Sequence, residues 1–323
     1  MNRPNNPGYF QVSRAKIRES SNLDIVKAYC HFLEEEVWFR KDRGMDYTSI
    51  ASYLKSLFMP SGALSPLGIV GYAHRLAAML DELKDRTNQA RICDAGCGYG
   101  TESLFFSLFG NPVTGVELVR ERLEIAKSRV DYFRSISNSI SEVNFINADI
   151  FRFLGQSRPF DVIWAMEAIS HIYPPEKFIQ LAYERLTEGG ALIISDPNGL
   201  NPIAWLRSVK IRGSLKHFPH KKFKDPQTEQ PICYGQEQIF SFLKLQRILK
   251  SSGFRVKRVD LSGFMGSSFL PRFIINNKAS QKMLEDFQNF IKRIPVIRAI
   301  GSIYSITAIK VPNVKHPSSP IFC

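Results

Sequence analysis

"ARICDAGCGYGTESLFF", residues 90–106, passes from a short apolar run into a helical one through three glycines at alternate positions, Gly96, Gly98 and Gly100. Asp94 precedes the first of them by two residues. A glycine-rich turn between a strand and a helix lets a ligand reach main-chain N–H groups at the helix N-terminus. The stretch predicts a strand–turn–helix unit with a ligand at the turn; the alternative is a glycine turn that binds nothing.

The same rhythm continues outward. "PVTGVEL" (112–118), "VNFINAD" (143–149), "FDVIWAM" (160–166) and "ALIISDP" (191–197) read as strands. Between them, "RERLEIAKSRVDYFRSI" (120–136) carries Leu123, Ala126, Val130 and Phe133 at helical spacing. "PEKFIQLAYERLTEGG" (175–190) reads as a helix with proline at its start and glycine past its end. Alternation of this kind implies an α/β fold, a doubly wound sheet with helices on both faces. After an excursion from Asn198 to about Tyr234, "GQEQIFSFLKLQRILKSSGF" (235–254) predicts a helix ending at Ser-Gly, and "RVKRVDLSGF" (255–264) a strand. A helix over about 279–292 then leads to the strand "SIYSITAIKV" (302–311). N-terminal to the glycine turn there are only helical patterns, the first with Ile25, Tyr29, Phe32, Leu33 and Val37 on one face. The expected divisions are a flexible N-terminus and helical cap (1–74), a core (75–199 and 233–312), a basic insertion (200–232) and a tail (313–323).

Carboxylates mark the ends of the next two strands. Glu117 closes "GVEL", where a carboxylate can accept both hydroxyls of a ribose; its other reading is a solvated strand end. Asp149 stands in "NADIF", with a helix N-cap as its other reading. A dinucleotide fingerprint G-x-G-x-x-G is not met, because Thr101 occupies the place of its third glycine. An aspartate before the turn also repels a pyrophosphate and suits a cofactor with a cationic amino-acid end.

Asp94, the three glycines, Glu117 and Asp149 together resemble the class I S-adenosylmethionine-dependent methyltransferases. The resemblance implies a seven-stranded sheet whose last strand is antiparallel, and S-adenosylmethionine as cofactor. Asp94, Gly96, Gly98 and Gly100 would meet its aminocarboxypropyl end, Glu117 and Leu118 the ribose side, and Asp149 and Ile150 the adenine. Met166 would flank the cofactor. It also implies an N-terminal cap over the acceptor, in which Trp38, Phe39, Tyr47 and Tyr53 are pocket candidates or ordinary core.

A sulfonium methyl is already electrophilic, so catalysis is positioning plus a base where the acceptor is a hydroxyl. In "MEAISHI", His171 is the candidate base and Glu167 its orienting partner or the base itself; the bland reading of His171 is packing. Asp196 and Asn198, in "SDPNGLNPIAWLR" (195–207), are acceptor contacts or turn residues.

Composition limits the partners. The 323 residues carry 43 basic and 30 acidic side chains, a net charge of +13, which favours an anionic partner. Seven Lys or Arg and no acid lie between Trp205 and Lys224, interleaved with apolar residues, as at an anionic membrane surface or against a phosphate-bearing acceptor. A solvated flap explains the same residues. No apolar run reaches the roughly 18 residues that span a bilayer, and "MNRPNNPGYF" has no apolar signal core. Five scattered cysteines suit a reducing compartment, and Cys93 with Cys97 lacks the second ligand pair of a zinc site. These features predict a cytoplasmic enzyme, peripheral at a membrane if the basic stretch binds lipid. The acceptor is expected to be a small molecule or a lipid- or glycan-linked one, attacked at oxygen. An RNA-directed methyltransferase and a non-catalytic cofactor-binding scaffold are the alternatives; no metal is expected.

Overall fold

The computed structural model describes residues 18–57, 66–136, 140–202, 221–234, 239–263 and 293–312, with Met283, Asp286, Phe287 and Phe290. In chain order they form α1 (Asn22–Asp42), α2 (Thr48–Leu57), α3 (Pro66–Asp85), β1 (Ile92–Ala95), α4 (Thr101–Leu108), β2 (Val113–Glu117), α5 (Arg120–Ile136) and β3 (Val143–Asn147). There follow α6 (Ile150–Gln156), β4 (Phe160–Met166), α7 (Pro175–Glu184), β5 (Leu186–Pro197), β6 (Lys221–Lys224) and β7 (Pro231–Tyr234). The chain closes with α8 (Phe242–Ser251), β8 (Phe254–Ser262), α9 (Pro295–Arg298) and β9 (Ile303–Lys310).

Seven strands make one sheet in the order β3-β2-β1-β4-β5-β9-β8. Strands β1 to β5 run parallel, and β9 lies antiparallel between β5 and β8. Strand order reverses between β1 and β4, so their carboxyl ends open a crevice of the kind where such sheets bind ligands.

Alternating burial divides the core into two layers. Val162, Trp164, Ala191 and Ile193 face the layer that contains α1, α3 and α4, while Ile163, Ala165, Leu192 and Ile194 face the layer with α7 and α8. The N-terminal helices thus share a core with the sheet, and the 74/75 division falls inside α3. Ion pairs fasten α3 to the edge strand β8: Lys257 reaches Glu82 and Asp85, each at 3.1 Å, and Arg258 pairs with Asp81.

One helix end differs from expectation. Gly189 and Gly190 do not follow a helix terminus, because α7 stops at Glu184 and Leu186 already pairs with Phe160. Pairing then jumps to Val162 opposite Ala191, so the residues between bulge out of the ladder. Gly189, at φ +73°, turns that bulge. Most of the helix expected over 279–292, the tail 313–323 and all of the basic stretch 205–224 but β6 lie outside the described residues. Among the described residues no helix is long and apolar enough to cross a membrane.

Candidate active site

All three glycines of the turn after β1 have positive φ, but they do different work. A Cβ on Gly100 would lie 2.7 Å from Phe145 and 2.9 Å from Ala126, so this glycine lets α4 close on β3 and α5. At Gly96 a Cβ would meet Ala168 at 3.0 Å. A Cβ on Gly98 would meet nothing within 4 Å, so the space on that side of its backbone is open. Gly96 and Cys97 donate to Val116 O at 2.9 and 3.0 Å, which ties the turn to β2.

The two strand-end carboxylates hold backbone N–H groups at the crevice, Glu117 those of this turn and of its own corner, Asp149 that of α6. Glu117 Oε2 accepts from Gly98 N at 2.9 Å and Oε1 from Val119 N at 2.8 Å. Asn147 reinforces the corner, donating to Glu117 O at 2.9 Å and Leu118 O at 3.0 Å. Asp149 caps α6, accepting from Phe151 N at 3.2 Å, and it also faces the crevice. The N-cap and ligand-facing readings of Asp149 are therefore compatible.

Asp94 lies behind the turn, 2% exposed. Burial, reinforced by nearby Glu102, pushes its carboxyl up to about 8; the bond from Ser103 Oγ at 2.6 Å offsets this only in part. A cationic ligand group beside it restores the charged form.

A buried network below the turn went unread in the sequence. Arg129 of α5 donates to both carboxylate oxygens of Glu36 on α1, at 2.7 Å from Nη2 and 2.8 Å from Nε; both side chains are fully buried. Its remaining nitrogen, Nη1, holds the turn itself, at Tyr99 O (2.7 Å) and Thr101 Oγ1 (2.8 Å). Tyr29 OH donates to Thr101 O and Tyr72 OH to Glu102 Oε1, each at 2.6 Å. The available signal was a charge on an otherwise apolar face: Glu36 continues the stripe of Tyr29, Phe32 and Leu33, and Arg129 sits between Ala126 and Phe133.

Across the crevice β4 ends at Met166, and Glu167 follows at φ +50°. Arg75 of α3 pairs with the Glu167 carboxylate and holds it below the usual carboxylate range against partial desolvation; His171 adds to the effect. The Glu167 side chain remains 45% exposed. Asp196 is buried at the end of β5, bonded to Ser170, with Oδ2 unpartnered among the described residues. Asn198 is occupied as a turn residue: Nδ2 donates to Ala299 O and Gly301 O, and Oδ1 accepts from Leu200 N.

These elements line an open cleft of ≈ 100 Å³. Gly96, Glu117, Leu118, Asp149 and Ile150 line it, as do Glu167 and His171. Asp94, Gly98, Gly100 and Met166 are not on its surface; Met166 packs against the core layer of the N-terminal helices. Nor do Trp38, Phe39, Tyr47 or Tyr53 line it: Phe39 packs on Tyr132 at 4.8 Å and Tyr53 on Tyr99 at 5.5 Å. Open space beside Gly98, strand-end carboxylates and a buried acid with no cationic partner among the described residues fit a nucleoside cofactor with an ammonium end, as S-adenosylmethionine has.

Comparison with known proteins agrees. The family model described as a methyltransferase domain matches residues 86–259. The ubiquinone biosynthesis O-methyltransferase of Xylella fastidiosa (strain M23) is 28% identical over 167 residues, covering 48% of this chain and 60% of that protein. The enzyme of the same name from Actinobacillus pleuropneumoniae serotype 5b (strain L20) is 26% identical over 230 residues, covering 68% of this chain and 88% of its own. This chain thus spans 60% of the length of the first of these relatives. A solved SAM-dependent methyltransferase from Archaeoglobus fulgidus has 17% identity and a TM-score of 0.46, with 72% of this chain and 92% of that one covered. Since the family model spans more than half of the 323 residues, this chain belongs to the methyltransferase domain family.

Proposed function

We propose that the chain methylates a hydroxyl oxygen of a small-molecule acceptor. Within this reading Asp94, Gly96 and Gly98 take the amino-acid end of the cofactor, Glu117 and Leu118 the ribose, and Asp149 and Ile150 the adenine. Gly100 and Met166 support them from behind. Bound there, S-adenosylmethionine supplies an electrophilic methyl carbon. His171 would take the proton of an acceptor hydroxyl held beside that methyl group. Glu167, kept ionised by Arg75, is a weak base and acts by orienting His171 and stabilising its cation. The observation that carries the reading is the shared cleft, which Glu167 and His171 line together with Gly96, Glu117, Leu118, Asp149 and Ile150. Oxygen as the target is supported by relatives named as O-methyltransferases. The basic stretch 205–224 would meet an anionic group on the acceptor or on a membrane surface that carries it.

Methyl-labelled S-adenosylmethionine, incubated with the full chain and cell extract, tests the acceptor class. The label is expected among soluble metabolites, or in lipid if the acceptor is lipid-linked. Label in RNA would replace the proposal with the reading that the +13 charge favours. Cofactor binding with no label in any fraction would leave a non-catalytic scaffold.

A further inference from the structure

The chain between β5 and α8 contains a hairpin, β6–β7, that a plain βαβ pattern does not require. The excursion leaves the sheet at β5 and comes back beside it, where Gly199 N donates to Phe240 O at 3.0 Å. The hairpin itself touches the other side of the switch point. Gln227 Nε2 reaches Asn147 O, at the end of β3, at 3.4 Å, and Arg152 Nη1 of α6 reaches Asp225 Oδ1 at 3.4 Å. Its tip therefore lies at the carboxyl end of β3, beside α6. Its Ile232 lines the same cleft as Asp149, Ile150 and Phe151.

The tip of the hairpin is built without help from the core. Asp225, 4% exposed, accepts from Gln227 N at 2.8 Å and Thr228 N at 2.9 Å. Its own N–H donates to Gln230 O at 2.8 Å. Arg152 adds an ionic attachment to α6, and its side chain is 33% exposed. The arrangement is a preformed turn that meets the body through Asn147 and Arg152, with an apolar side chain at the cleft.

We propose that the β6–β7 hairpin clasps the adenine end of the bound cofactor, with Ile232 as a cofactor-contacting residue and Arg152–Asp225 as its latch. An apolar side chain over a flat purine excludes water from it, and the contact must break before the nucleoside leaves. Entry does not need the contact, so the hairpin governs dissociation more than association. The inference rests on the placement of adenine at Asp149 and Ile150 given above.

Stopped-flow dissociation of S-adenosylhomocysteine from the full chain tests it, with Ile232→Ala, Arg152→Met and, as a control, Asp149→Ala. Arg152→Met leaves the turn intact, because Asp225 is bonded there by the hairpin's own N–H groups. Ile232→Ala and Arg152→Met should each speed dissociation about tenfold and change association by less than about twofold. Unchanged dissociation in both, with acceleration in Asp149→Ala, would overturn the clasp and leave the adenine site standing. Unchanged dissociation in all three would remove the adenine placement and the clasp with it.

Discussion

Replacing Glu36 with alanine lowers stability by about 3–5 kcal/mol, a large share of the roughly 5–15 kcal/mol that holds a domain together. Arg129 has no exposed surface and donates to both Glu36 oxygens, so truncation leaves an uncompensated guanidinium in the core. The loss is read from urea or thermal unfolding; a transition within about 0.5 kcal/mol of wild type would contradict it. A second variant separates folding from site order. Glu36→Leu with Arg129→Met fills the space with apolar side chains and recovers much of the stability, as such replacements of buried pairs often do. It also removes the donor that holds Tyr99 O and Thr101 Oγ1, so S-adenosylhomocysteine affinity stays low even where the fold is restored.

Replacing His171 with alanine lowers turnover about 10²-fold or more and leaves S-adenosylhomocysteine affinity near wild type. The reason is the unequal pair at the end of β4. Arg75 stabilises the charge on Glu167, so Glu167 is the poorer proton acceptor of the two. Glu167→Gln should cost less than the His171 change, since it removes only orientation and charge stabilisation. Steady-state rates with the labelled cofactor decide this. Equal rates for wild type and His171→Ala would return the histidine to a packing role.

The glycine turn made the fold readable. Its place after an apolar strand, with carboxylates ending the next two strands, was enough to set the strand–helix order and the edge of the sheet that carries the cleft. Periodicity also located the buried face of α1 through Ile25, Tyr29, Phe32 and Leu33. The roles of the individual glycines were not legible, because they depend on what packs beneath: Phe145 and Ala126 under Gly100, open space at Gly98. Glycines 189 and 190 misled, since positive φ serves a strand bulge as well as a helix end. Arg75, Glu36 and Arg129 escaped because each acts through a partner far away in sequence, and a local pattern carries no partner. The hairpin's reach to β3 is likewise a long-range fact, fixed by Gln227 and Asp225 meeting Asn147 and Arg152.

That the turn after β1 holds the ammonium end of the cofactor is tested most directly by titrating S-adenosylhomocysteine calorimetrically into wild type and Asp94→Asn across pH. Asp94, pushed up to about 8 by burial, is mostly protonated near pH 6 in the free protein and must ionise to pair with the ligand's cation. Binding therefore releases a proton below pH 8, and affinity rises with pH, approaching ~10-fold per unit, then levels off above it while the ligand stays cationic. The Asn variant binds more weakly at pH 8 and loses most of the slope. A wild-type affinity that does not change between pH 6 and 8, or an equal slope in both proteins, would contradict the placement of the cofactor.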